Sequence, residues 1–261
     1  MNVRSFFSAY GLRMWVSAFF LFLYIPIVVL VIFSFNESPT LYQWGGFSTH
    51  WYAELFQSAE VWQALRNSLY VASFATFLSV TMSLLLVYFG SNLRRFFPLF
   101  YGSLVIPEVV LAVGLLGFFS LFTVMLGFST LIVGHTLLGL GYAVPIVSSR
   151  YDELEKHLTE ASLDLGASYV QTFFRIILPL LVPALVAAAI LVFVISLDDF
   201  MIAFFCAGGT TQTLPLYIFS VVRAGGSPML NALSTVLLCF GSMLIMLIAA
   251  LRMRKIFMFG S

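Results

Sequence analysis

The amino-acid sequence predicts an all-α membrane protein of six transmembrane helices, on three observations. Of its 261 residues, 61% are hydrophobic and 9% charged; soluble domains carry about 25% charged residues, and a chain this poor in charge cannot cover a water-facing surface. Six apolar stretches are each long enough to cross about 30 Å of hydrocarbon at about 1.5 Å per residue. An even number of crossings puts both termini on one side, and ten of the twelve Lys and Arg fall on that side. The 29 Phe fit a lipid solvent, because Phe partitions well into the bilayer core.

The first stretch, 15–35, is longer than a signal-peptide core and lacks a small-residue cleavage site, so it is expected to remain as a spanning helix. The others are expected over 67–89, 97–123, 130–149, 180–206 and 230–251, within one domain covering 1–261 without internal repeats. Arg4, Arg13, Arg94, Arg95, Arg150, Lys156, Arg175, Arg252, Arg254 and Lys255 lie at the termini and the even-numbered connections, whereas Arg66 and Arg223 lie opposite. Basic residues mark the cytoplasmic side, which places both termini and the connection 150–175 in the cytoplasm. The opposite face carries two longer segments, 36–66 and 207–229. Trp44, Trp51, Tyr52, Phe56 and Trp62 sit there among polar residues, as an aromatic belt or under a partner. Trp44, in a Gly-Gly turn, is a candidate for a partner surface or the substrate path. Cys206 and Cys239 have no metal-ligand spacing and are expected as small buried hydrophobes, so no disulfide or metal site is predicted.

The connection 150–175 has the densest charge. Leu154, Leu158, Ala161 and Leu165 recur at helical spacing and predict one face of a short amphipathic helix. Gly166 can turn the chain, and Ser168 with Gln171 forms a capping-box signature for a second helix. Taken alone this is a helical hairpin. The order Glu160-Ala161-Ser162, then Gly166, then Ile176, Leu178 and Pro179 resembles the EAA signature of bacterial ABC importer permeases, with Ser162 where Ala is usual. The resemblance implies the type I ABC importer permease fold and makes this connection the cytoplasmic coupling helix that docks on an ATPase subunit. The chain itself has no P-loop, since Lys156 and Lys255 follow Glu155 and Arg254 rather than Gly. It is therefore expected to be a transport subunit and not an enzyme, with ATP and Mg²⁺ held by partner subunits.

Of eleven acidic residues, Glu108, Asp198 and Asp199 fall inside expected spans. A carboxylate at mid-helix costs roughly 2.5–3.5 kcal/mol on insertion scales, so these residues should face a polar pathway or a partner such as Arg66 or Arg223. With no Lys or Arg at that depth, the path they imply selects cations. Successive helical residues diverge by about 100°, so Asp198 and Asp199 are expected to point apart, with Ser196 on the side of Asp199; one is expected to face the path and the other to hold local structure, with Asp198 favoured for the path. His135 is expected to be packed and hydrogen-bonded; His50 and His157 are expected to be solvated.

Around these residues the chain resembles the second permease subunit of spermidine/putrescine importers, over nearly its full length. The resemblance rests on Ser196-Leu197-Asp198-Asp199, Thr213-Leu214-Pro215, Ser220-Val221-Val222-Arg223, Ser227-Pro228, Asn231-Ala232-Leu233, Tyr24-Ile25-Pro26 and Ser34-Phe35-Asn36. It implies a bacterial inner-membrane complex with a second permease, two ATPase subunits and an extracytoplasmic polyamine-binding protein, and no nucleic acid. Glu108 departs from the Asp expected after Pro107, which leaves the choice of polyamine open. An importer for another small solute and a channel or sensory protein are the competing readings. An intramembrane enzyme is disfavoured because neither HExxH nor GxSxG occurs.

Overall fold

The computed structural model describes residues 3–154, 157–209 and 211–259; Glu155 and Lys156 lie outside them. Among the described residues the regular structure is helical, with one isolated antiparallel bridge between Asn36 and Phe47 and no named strand. The longer helices are α1 (Val3–Phe33), α3 (Ala59–Phe89), α5 (Glu108–Leu121), α6 (Phe128–Glu153), α9 (Leu178–Asp198) and α12 (Pro228–Phe259). Shorter ones are α2 (His50–Gln57), α4 (Phe97–Ser103), α7 (His157–Asp164), α8 (Tyr169–Thr172), α10 (Met201–Cys206) and α11 (Leu214–Arg223). Among the described residues, four segments are long and apolar enough to cross a membrane: Gly11–Phe33, Ala59–Phe89, Phe128–Glu153 and Tyr169–Asp198. The chain is a multi-pass membrane protein.

Two expected spans are not continuous. The run 97–123 divides into α4 and α5, because Pro107 lacks the N–H that a helix needs and disfavours helical geometry at Ile106. The run 180–206 stops at Asp198; Asp199 is extended (φ −66°, ψ 122°) and α10 starts at Met201. Hydropathy registers both runs as unbroken, because a window of about twenty residues averages over Pro107 and over Asp198 and Asp199.

The chain forms two compact units, residues 60–217 and residues 1–59 with 218–261. In the first, α6 packs against α4, α5, α9 and α10. Beside larger residues such as Phe97 and Leu140, its buried contacts include small and β-branched ones, Ala143, Val144, Val147, Ala188 and Val192, which let helix backbones approach in a membrane where no hydrophobic force joins them. Ser79 Oγ donates to Thr136 O at 3.0 Å, tying α3 to α6. Gly139 sits at this crossing, and a Cβ there would come within 2.7 Å of Val192 Cγ1 and also strike Ser79. Gly139→Val should therefore destabilise the helix packing by about 1–3 kcal/mol. Lower recovery of intact protein from detergent-solubilised membranes, against unchanged recovery for Gly114→Ala, would show it; Gly114 has open space at its Cβ position.

In the second unit, α12 packs against α1 and α2. Between Gly11 and Phe33, α1 exposes nearly all of its apolar side chains, among them Trp15, Phe19 and Phe22, as a lipid-facing helix does. The segment after α1 is organised by buried Asn36, whose Nδ2 donates to Gln43 O (2.8 Å) and whose Oδ1 accepts from Gly45 N (2.8 Å). Trp51 Nε1 in turn donates to Asn36 O at 2.7 Å. Cys206 is buried, but Cys239 is exposed on α12, contrary to expectation: its position falls on a helix face that this chain does not cover.

Candidate functional site

Both helix breaks open into one cavity of ≈ 430 Å³. Its lining includes Leu104, Ile106 and Glu108 from the first break, Asp198, Asp199, Phe200 and Met201 from the second, and Tyr142 from α6. Glu108 opens α5, where a carboxylate is favoured by the helix dipole, and is half-buried. Asp198 ends α9 and is exposed, whereas Asp199 is 5% exposed. Both Asp line the cavity despite being adjacent, because the helical step of about 100° does not apply where the helix has already stopped. Asp199 instead uses its carboxylate to receive the Ile202 N–H at 3.1 and 3.0 Å, capping the chain as it re-enters helix.

Glu108 and Asp199 line the same cavity and lie close enough to interact electrostatically. Behind them, Ser196 and His135 are buried, with Ser196 Oγ 2.7 Å from His135 Nδ1. His135 Nε2 lies 3.7 Å from Asp199 Oδ2. The ring is packed and hydrogen-bonded as expected, but onto the acidic residues, a placement that spacing along α6 does not reveal. The Arg66 guanidinium goes to Trp62 O (3.3 Å). No Lys or Arg is among the described residues lining the cavity, so it presents acceptors and negative charge in an otherwise apolar wall. No described cluster of His, Cys, Asp and Glu fits a metal ion.

Trp44 belongs to the other unit. It is 48% exposed and stands edge-on to Phe33, with ring centroids 6.0 Å apart. It is carried on the turn that Asn36 holds, beside Gly46 at φ +130°.

The connection between α6 and α9 is built as a hairpin. Glu160, Ala161 and Ser162 lie on α7, with Glu160 and Ala161 exposed and Ser162 buried. Ser162 Oγ is 2.9 Å from Thr172 Oγ1 on α8, so the hydroxyl at this position joins the two short helices. Gly166 has φ +85°; its N–H reaches Leu163 O (2.8 Å) and the Ala167 N–H reaches Ser162 O (3.1 Å), the Schellman ending of a helix. Ser168 and Gln171 form the expected capping box. The expected apolar face is different: Leu154 ends α6, while Ala161 and the 89%-exposed Leu165 point away from the hairpin. Ile176 lies in a π-helical turn, Phe173–Ile177, that precedes Leu178 and Pro179; Pro179 has no N–H to close a helical turn on Arg175.

No protein-family model matches the sequence. The chain is 38% identical over 239 residues to the spermidine/putrescine transport system permease protein PotC of Escherichia coli (strain K12), covering 90% of each chain. The chain belongs to the PotC/PotI family of transport-system permeases. The putrescine transport system permease protein PotI of Escherichia coli (strain K12) is 36% identical over 231 residues, 84% of this chain and 82% of that one. The PotC of Haemophilus influenzae is also 36% identical over 231 residues, 87% and 90% of the two chains. A bacterial ABC transporter involved in the import of the acidic polysaccharide alginate shares the fold, with a TM-score of 0.64 at 13% identity over 84% of this chain and 81% of that chain. In this PotC/PotI family member the acidic cavity draws on α5, α6 and α9 at once, so its parts are 90 residues apart between Glu108 and Asp198. Pro107 inside an apolar run is the sequence signal for the first break; the second has no comparable mark.

Proposed function

We propose that the chain is a transmembrane permease subunit of an ATP-driven importer of polyamines, crossing a bacterial inner membrane six times as one functional domain. The observation that carries the substrate class is the cavity where two interrupted helices bring Glu108, Asp198 and Asp199 together without a basic residue in its described lining. Interrupted helices in transporters are where binding sites form, since their backbone and end groups need polar company. A polyamine is a chain of ammonium groups on methylenes and suits carboxylates set in an apolar wall. Ser196 supports that path from behind, and Trp44 is the aromatic candidate for it from the outer segment. Partners on this reading are a second permease, two ATPase subunits that hold ATP and Mg²⁺, and an extracytoplasmic binding protein; the chain binds no cofactor of its own. Both termini lie in the cytoplasm.

The hairpin of α7 and α8 is the coupling element, with Glu160, Ala161, Ser162, Gly166, Ile176, Leu178 and Pro179 in the coupling role. A short helix fastened to spans at both ends can turn closure of an ATPase dimer into rigid-body movement. Its exposed residues, Glu160, Ala161 and Leu165, are the docking surface. Glu160 is expected to meet a basic residue of the ATPase, and removing one member of such a pair costs about 2 kcal/mol or more. In Glu160→Ala, stimulation of ATP hydrolysis by loaded binding protein should drop; equal stimulation would make Glu160 an ordinary solvated residue. The function as a whole is tested by co-purification with an ATPase and by ATP-driven uptake of labelled spermidine into proteoliposomes holding the complex. Uptake without ATP would point to a channel, and uptake of sulfate in place of spermidine would exclude a cation path.

A further inference from the structure

His135 stands in the N-terminal third of α6, its side chain 1% exposed, between Ser196 and Asp199 at the second break. Nδ1 is anchored at 2.7 Å on Ser196 Oγ. Nε2 is buried and has no hydrogen-bond partner, and the nearby acceptor is Asp199 Oδ2 at 3.7 Å, just beyond hydrogen-bond range. A buried ring nitrogen left unpartnered costs about 1–3 kcal/mol, a penalty that calls for some compensating use of the group. The direction of the Ser196 contact follows the ring tautomer: when Ser196 donates to Nδ1, the neutral ring carries its hydrogen on Nε2, the atom that faces Asp199. The carboxylate is thereby bonded along the chain by the Ile202 N–H and has the imidazole of α6 beside it, 3.7 Å away.

Resting on the reading of the acidic break as the polyamine path, we infer that His135 is a positioning residue for it. Locked by Ser196, the ring fixes the orientation in which Asp199 meets an alkylammonium group. It contacts no substrate itself, and it links α6 to α9 at the point where α9 ends. The geometry also separates the two ring nitrogens by function: an asparagine at 135 can occupy the Nδ1 position but leaves the Nε2 position empty, whereas a glutamine reaches the Nε2 position with an N–H donor.

Initial rates of ATP-driven spermidine uptake by the complete reconstituted complex test this as a double-mutant cycle. His135→Asn should raise KM by about tenfold, the scale of a lost contact to a charged group, with a smaller change in the maximal rate. His135→Gln should recover most of that loss. Asp199→Asn should raise KM as well, and His135→Asn combined with Asp199→Asn should be no worse than Asp199→Asn alone, because His135 acts through that carboxylate. Additive losses, or an unaltered KM in His135→Asn, would overturn the inference while leaving the path intact. An unaltered KM in Asp199→Asn would instead remove the path on which it rests. If His135→Asn does not assemble, the cycle runs with His135→Gln: the inference then requires near-normal KM, and a loss as large as that of Asp199→Asn overturns it.

Discussion

Gly166→Val should lower polyamine uptake at least about tenfold while the protein still inserts and binds its ATPase. At φ +85° the residue occupies a backbone region that glycine enters freely and a β-branched residue resists. A Cβ at this position would meet no atom within 4 Å, so the penalty is conformational rather than a clash. It amounts to about 1–3 kcal/mol, enough to unwind the ending of α7 that Leu163 O and Ser162 O complete. The hairpin then loses its fixed angle, and with it the ability to pass movement to α9. Asparagine tolerates the same conformation, so Gly166→Asn should keep most of the uptake. Uptake by the valine variant at the rate of the asparagine variant would show that the turn does not transmit motion.

Neutralising the cavity carboxylates should have an effect of similar size, graded by burial. Asp199→Asn removes a charge from a site 5% exposed, bonded by the Ile202 N–H and beside His135, where water cannot compensate. Asp198 is exposed on the cavity wall, and Asp198→Asn should cost less. Glu108→Gln lies between them, as a half-buried group at the start of α5. A path of several weak sites is suited to a flexible polycation, since one site of high affinity would bind without releasing. Losses of roughly tenfold are expected for Asp199, of a few-fold for Asp198, and of a size between the two for Glu108.

The helical class and the apolar segments were legible because hydropathy over about twenty residues is a strong signal in a chain so poor in charge. The turn at Gly166 and the cap at Ser168 were legible because each depends on residues within a few positions of it. The face of α7 was not. Periodicity marked Leu154, Leu158, Ala161 and Leu165, but a hairpin buries whatever faces its second arm, and here that is the hydroxyl of Ser162 against Thr172. The acidic residues stood out one by one because charge is rare at that depth, whereas their meeting in one cavity depends on two breaks and on the packing of α6. His135 was legible as a packed histidine and not as a neighbour of Asp199, since a contact across 64 residues leaves no trace in local spacing.

The central claim, that a polyamine cation passes along Glu108, Asp198 and Asp199, is tested most directly by initial uptake rates of labelled spermidine. The measurement uses proteoliposomes containing the complete complex with Glu108→Gln, Asp198→Asn or Asp199→Asn in this chain, each compared with the unmodified complex at equal subunit content. The path predicts slower uptake in all three, with Asp199→Asn slower than Asp198→Asn. Uptake at the unmodified rate by all three variants would contradict it and leave the carboxylates as structural groups.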